Sequence, residues 1–176
     1  MADNHPYNVL FLCTGNSARS ILGEAFLNHV ARGQFRAFSA GSHPRGQVNP
    51  LALEVLEEAG IPTAGLRSKS WDEFAGPDAP HMHFVFTVCD DAAGETCPIW
   101  PGRPMTAHWG IEDPAAVEGT DFQKRAAFAK ALRFMQNRVT AFISLPHRGT
   151  DRQVIEAGLA DIGRLEGSTT RTGNAA

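Results

Sequence analysis

The segment Cys13-Thr-Gly-Asn-Ser-Ala-Arg19-Ser20 holds a thiol and a guanidinium separated by five small residues. Backbone N–H groups of such a loop can converge on a tetrahedral oxyanion, and an arginine can grip two of its oxygens at once. Gly15 permits the tight turn. Cys13 then sits beneath the anion, where amide donors and the dipole of a following helix are expected to lower its pKa. Ser20 adds a hydroxyl that can donate to the sulfur. Cys13 is therefore the candidate nucleophile, and Thr14, Gly15, Asn16, Ser17, Ala18, Arg19 and Ser20 are the candidate oxyanion loop. A thiolate cannot protonate the oxygen it displaces, so a carboxylic acid is expected nearby. Asp113 is the best candidate, because Pro114 biases it away from helix into an extended geometry. Glu112 is the nearest competitor.

Two further thiols are unevenly spaced. Cys89 follows an apolar run, and Cys97 comes after seven intervening residues that include Gly94. This is not the close pairing of zinc ribbons, and no second pair completes four ligands. Three thiols at or near strand ends point instead to thiol–disulfide exchange.

The elements that must position these groups are legible in outline. Asn8-Val-Leu-Phe-Leu-Cys13 reads as a buried strand of a parallel sheet. Apolar spacing predicts a helix over 21–32, stopped by Gly33. Arg36-Ala-Phe-Ser-Ala40 is a second strand. Asn49-Pro50 starts a helix as cap and first residue, with Leu51, Val55 and Leu56 on its apolar face. His83-Phe-Val-Phe-Thr-Val88 is a third strand and Met105-Thr-Ala107 a short fourth. A long helix over 122–143 is expected to turn Phe122, Ala126, Ala127, Ala131, Leu132, Met135, Val139 and Phe142 to the core. Alternating strands and helices imply one open α/β sheet, mostly parallel. Ligands bind such sheets at the carboxyl ends of strands, where Cys13 lies. Residues 1–146 read as this domain. The remainder, 147–176, reads as an extension with one helix over 151–165, Val154, Ile155, Leu159 and Ile162 being apolar, and then a disordered tail.

The chain has 176 residues and a net charge of -3, which suits one domain and offers no basic face for nucleic acid. No apolar run is long enough to cross a bilayer, and the first residues lack a signal peptide's pattern. With an odd cysteine count, a cytoplasmic location is expected. No nucleotide or flavin fingerprint is present, so no tightly bound cofactor is expected. His81 and His83 read as solvated surface, and His108 and Trp109 as packing groups before Asp113. Trp100 and Pro101 read as a cover for the Cys97 loop.

The anion loop, Thr87-Val-Cys89, Cys97-Pro98, His108-Trp-Gly110 and Asp113-Pro114 together resemble the arsenate reductases of the low-molecular-weight phosphotyrosine phosphatase superfamily. Phe38-Ser-Ala-Gly41 and Val48-Asn-Pro50 match as well, so the resemblance runs over about 8–143. It implies a four-stranded parallel sheet flanked by helices. It also implies a mechanism in which Cys13 attacks arsenate and Asp113 protonates the departing oxygen. Arg19 and the loop amides hold the charge. Cys89 then attacks Cys13 to release arsenite, and Cys97 attacks Cys89. An external thiol system, thioredoxin or glutaredoxin with glutathione, reduces the last disulfide, and the protein acts as a monomer.

Three positions depart from that pattern. Many relatives have a further cysteine at Ala18. Potassium-dependent relatives hold the ion with groups matching Asn16, Glu24 and Ser39 plus a carboxylate, where this chain has Lys69. The segment 147–176 extends beyond compact relatives. Two other readings compete: a low-molecular-weight protein tyrosine phosphatase, which has no use for Cys89 and Cys97 and usually carries an aromatic residue where Ala115 stands, and a non-catalytic oxyanion-binding or redox-sensing protein.

Overall fold

The near-continuous apolar run before Cys13 forms β1 (Tyr7–Cys13), in which Val9 through Cys13 are buried. The computed structural model describes residues 5–90, 98 and 100–169. β2 (Phe35–Gly41), β3 (Phe84–Thr87) and β4 (Met105–His108) complete a parallel sheet of order β2-β1-β3-β4. Helices α1 (Arg19–Val30), α2 (Pro50–Glu58), α3 (Asp121–Ile143) and α4 (Arg152–Gly163) follow in chain order. Short 3-10 turns lie at Trp71–Phe74 and Pro114–Ala116. The chain leaves β1 toward β2 and returns to its other side for β3. The carboxyl end of β1 is thus the switch point of the sheet, where a crevice opens. Register keeps the strand ends level: Cys13 faces Gly41, Leu12 faces Thr87, and Thr87 faces His108.

Alternate residues of β1 serve the two faces. Val9 and Phe11 pack with Ile21, Leu22, Leu27, Met135, Val139 and Phe142. Leu10 and Leu12 pack with Phe74, Met82, Val85 and Trp100. Asn49 caps α2 by accepting from the Leu51 N–H at 3.0 Å, with Pro50 at the first helical position. Thr120 and Gln123 form a reciprocal capping box at the start of α3.

Most of the expected face of α3 is buried, with Ala131, Leu132, Met135, Val139 and Phe142 in the core and Ala127 half-buried, but its first turns are not. Phe122 is 82% exposed and Ala126 is also exposed, whereas Phe128, Phe134 and Arg138 are buried. The first turns of the helix stay exposed or half-buried, so burial starts only at Phe128. α1 begins at Arg19, two residues earlier than its apolar spacing suggests, because the loop itself winds into the first turn. In α4, Val154 is exposed while Ile155, Leu159 and Ile162 join the same core as α1 and α3. Trp109 is fully buried, stacks on Phe86 at 3.8 Å, and donates through Nε1 to the Leu159 carbonyl at 3.0 Å. The tail over 170–176 lies outside the described residues. No helix among those described is long and apolar enough to cross a membrane.

Candidate active site

Cys13 ends β1 and is 5% exposed. The loop after it is held from outside by its carbonyls. Thr14 O accepts from the His43 N–H at 2.9 Å, Gly15 O from Arg45 at 3.0 Å, and Ser17 O from Asn49 at 2.9 Å. With these carbonyls engaged away from the sulfur, the Gly15 N–H donates to Cys13. The left-handed residue of the loop is Asn16 (φ 43), not Gly15. Asn16 sustains it because its side chain is fully tied: Nδ2 donates to Ser20 Oγ at 2.8 Å, and Oδ1 accepts from the Lys69 N–H at 2.9 Å. Gly41 is required for a different reason. A Cβ there would lie 2.4 Å from the Thr14 carbonyl oxygen, so only glycine lets β2 pass this close to the loop.

The first residue of α1 is Arg19, and Ala18 before it has no side chain able to cap, so the first-turn amides remain available to an anion. Arg19 Nη1 donates to the Ile111 carbonyl at 2.9 Å, and Nη2 lies 3.7 Å from Asp113 Oδ2. Its Nε is buried with no hydrogen-bond partner, an unmet donor at the wall of the pocket. Asp113 caps the 3-10 turn by accepting from the Ala115 N–H at 2.9 Å. Together with Cys13, Arg19 and the loop it lines a cavity of about 240 Å³. Glu112 does not line this cavity.

Cys89, directly beyond Val88 at the end of β3, is 2% exposed and shares a side-chain hydrogen bond with Cys13. Thr14 Oγ1 lies 3.6 Å from its sulfur. The structure thus brings Cys13, Cys89, Arg19 and Asp113 together; Cys97 lies outside the described residues. The thiol pair alters one expectation. The Cys89 hydrogen bond and burial push the Cys13 thiol up, against the lowering pull of Arg19 and the Gly15 amide. Two buried thiols in contact titrate as a unit, and the second proton is held strongly.

Two pocket residues escaped the sequence reading. His43 and Arg45 line the mouth, and the Arg45 side chain lies against Gly15, with Nε 3.2 Å from where a Cβ on that glycine would stand. Their signal was position alone, just after the carboxyl end of β2. His108 and Trp109 serve hydrogen bonding and packing, and His83 accepts the Asn8 N–H through Nδ1 at 2.9 Å.

The residues matched to a potassium site do meet, but around an ammonium. Lys69 Nζ lies 3.6 Å from Glu24 Oε1 and 3.5 Å from Ser39 Oγ, and donates to the Arg67 carbonyl at 3.0 Å. The set does not fit a potassium ion, because the chain supplies its own cation there. The side chains of Lys69 and Glu24 are only 6% and 10% exposed. Lys69→Met leaves the Glu24 charge buried alone and is expected to destabilise the fold by about 3–5 kcal/mol. Adding Glu24→Met should return most of that loss, as read from urea midpoints of the single and double variants.

A model of the low molecular weight phosphotyrosine protein phosphatase family matches residues 8–148. The chain is 36% identical over 135 residues to the arsenate reductase of Bacillus licheniformis, covering 76% of this chain and 93% of that one. A solved arsenate reductase in the phosphate binding state superposes with a TM-score of 0.64 at 27% identity, covering 78% of this chain and 97% of its own. The thioredoxin-dependent arsenate reductase of Corynebacterium glutamicum superposes with a TM-score of 0.53 at 26% identity, over 80% of this chain and 64% of its own. Helix α4 lies beyond the span of the family match.

Proposed function

The chain belongs to the low-molecular-weight phosphotyrosine protein phosphatase family, and we propose that within it the protein reduces arsenate to arsenite. The observation that carries this reading is the second thiol. Cys89 is buried against the nucleophile behind the anion pocket, where hydrolysis of a phosphate ester has no use for it. The pocket also suits an inorganic oxyanion better than an aryl ester. Among the described residues its only apolar side chains apart from Cys13 are Ala18 and Ala115, and no phenylalanine, tyrosine or tryptophan lines it.

In this mechanism the Cys13 thiolate attacks arsenic. Arg19 and the loop amides hold the oxygens, and Asp113 gives its proton to the oxygen that departs as water. Asp113 leans on Arg19 in the free protein, and the incoming anion replaces that contact. Cys89 sulfur then attacks Cys13 sulfur. The sulfur–arsenic bond breaks with its electron pair going to arsenic, so arsenite leaves and a Cys13–Cys89 disulfide forms. Cys97 attacks Cys89, returning Cys13 as a thiol and leaving Cys89–Cys97. An external dithiol takes up that oxidation. The likeness to the thioredoxin-dependent neighbour supports thioredoxin as that reductant. We place the protein in the cytoplasm, the compartment that keeps such thiols reduced, acting as a monomer with no resident cofactor.

The test is arsenite production with thioredoxin or glutaredoxin and glutathione supplied separately. Turnover with thioredoxin is the expected result; no turnover with either overturns the reading. Asp113→Asn is expected to slow single-turnover arsenite release by roughly 10²–10⁴-fold, with phosphate affinity changing far less. A near-wild-type rate would move the acid role to another group, Glu112 first.

A further inference from the structure

The residues after α4 lie beyond the family match, yet among those described they reach Ile111, whose carbonyl holds Arg19, and Asp90, which follows Cys89. Leu165 and Glu166 are anchored from beneath by Arg138, which is fully buried. Its Nη2 donates to Leu165 O at 3.2 Å and its Nη1 to Glu166 O at 3.1 Å. Gly167 then crosses the Phe134 ring with φ 89, so close that a Cβ would stand 2.4 Å from a ring carbon. Ser168 pairs antiparallel with Ile111, the residue whose carbonyl holds Arg19. The Thr169 N–H donates to Gly110 O at 3.1 Å.

The side chain of Thr169 reaches further. Its Oγ1 donates to Asp90 Oδ1 at 2.9 Å, and Asp90 directly follows Cys89. The same carboxylate oxygen lies 2.8 Å from His108 Nε2, whose Nδ1 is 2.8 Å from Thr87 Oγ1. Gly110 leaves room for this cluster: a Cβ there would fall 2.3 Å from Thr169 Oγ1 and 2.9 Å from Asp90 Oδ1. The residues before and after the Val88–Cys89 pair, Thr87 and Asp90, are thus tied to one network, and Thr169 closes it from the far end of the chain.

We propose that residues 165–169 are a strap that positions Cys89 against Cys13, with Thr169 as the positioning residue acting through Asp90. The role rests on the reductase reading only in that arsenate is the oxidant of the first disulfide. Loss of the Thr169 hydroxyl frees one side of Asp90, and the sulfur–sulfur step slows because Cys89 is held less firmly. The anion loop keeps its own supports, since the Thr169 N–H and the Ser168 bridge are backbone contacts.

The experiment compares wild type, Thr169→Val and Thr169→Ser in three readouts: single-turnover arsenite release, hydrolysis of an aryl phosphate, and thermal midpoint. Thr169→Val should slow arsenite release by about three- to tenfold, the effect of one partly exposed hydrogen bond to a charged acceptor. Aryl phosphate hydrolysis should be unchanged, and the midpoint should move by less than about 4 °C. Thr169→Ser, which keeps the hydroxyl, should restore the rate. Unchanged arsenite release overturns the strap, as does a parallel fall of both activities with the midpoint. If wild type itself fails to reduce arsenate, the reductase reading is lost and the strap is tested by hydrogen peroxide. Peroxide oxidises Cys13 to a sulfenic acid, Cys89 closes the disulfide and water leaves. The closure rate should show the same loss in Thr169→Val and recovery in Thr169→Ser, and equal rates in all three proteins overturn it.

Discussion

Cys13→Ser is expected to produce no arsenite at all, in single or multiple turnover. A serine hydroxyl is hardly ionised at neutral pH, and the groups that bear most on the Cys13 position, the Gly15 amide, Arg19 and the Cys89 thiol, are donors or acids rather than bases. The substitution also removes the sulfur that Cys89 must attack, so both the arsenic adduct and the first disulfide are lost. The fold should survive, because serine is no larger than the buried cysteine and the loop is held by contacts to His43, Arg45 and Asn49. Phosphate should still bind, as Arg19 and the amides are intact, and titration by calorimetry checks this. Measurable arsenite with phosphate binding preserved would remove Cys13 from the nucleophile role.

The second large effect belongs to the other thiols. Cys89→Ser should form the arsenic adduct and stop there, with multiple-turnover reduction lost and hydrolysis of an aryl phosphate retained. It should also alter Cys13. The contact with Cys89 is the largest influence raising the Cys13 thiol. Without it, Arg19 and the Gly15 amide act with less opposition. The pH profile of iodoacetamide inactivation should therefore move to lower pH in Cys89→Ser, the opposite of what loss of a general base would give. Cys97→Ser should go one step further, releasing one equivalent of arsenite and accumulating Cys13–Cys89, while wild type accumulates Cys89–Cys97. Peptide mapping after one turnover distinguishes these. Sustained arsenate reduction by both variants with thioredoxin would exclude the relay and leave a single-thiol mechanism.

The sequence alone determines the position of the candidate anion loop at the end of β1. A buried strand ending in Cys13, small residues, then Arg19 opening a helix leaves few other arrangements, because backbone periodicity and turn chemistry are local properties. The same holds for Asn49-Pro50 at the start of α2 and for the parallel sheet itself. Tertiary structure decides what depends on which surface meets which. In α3, which packs on α1, α2 and the Pro114–Ala116 turn, Phe128 is buried and Phe122 stays in solvent. Arg138 is buried because Leu165 and Glu166 offer it carbonyls 27 and 28 residues away. Lys69 meets Glu24 and Ser39 beneath the loop. The raised Cys13 thiol arises only when β1 and β3 pair and bring Cys89 beside it. Thr169 finds Asp90 across 79 residues of chain. No local pattern encodes such a contact: it forms where folding has brought the two strand ends and the returning chain within hydrogen-bonding reach.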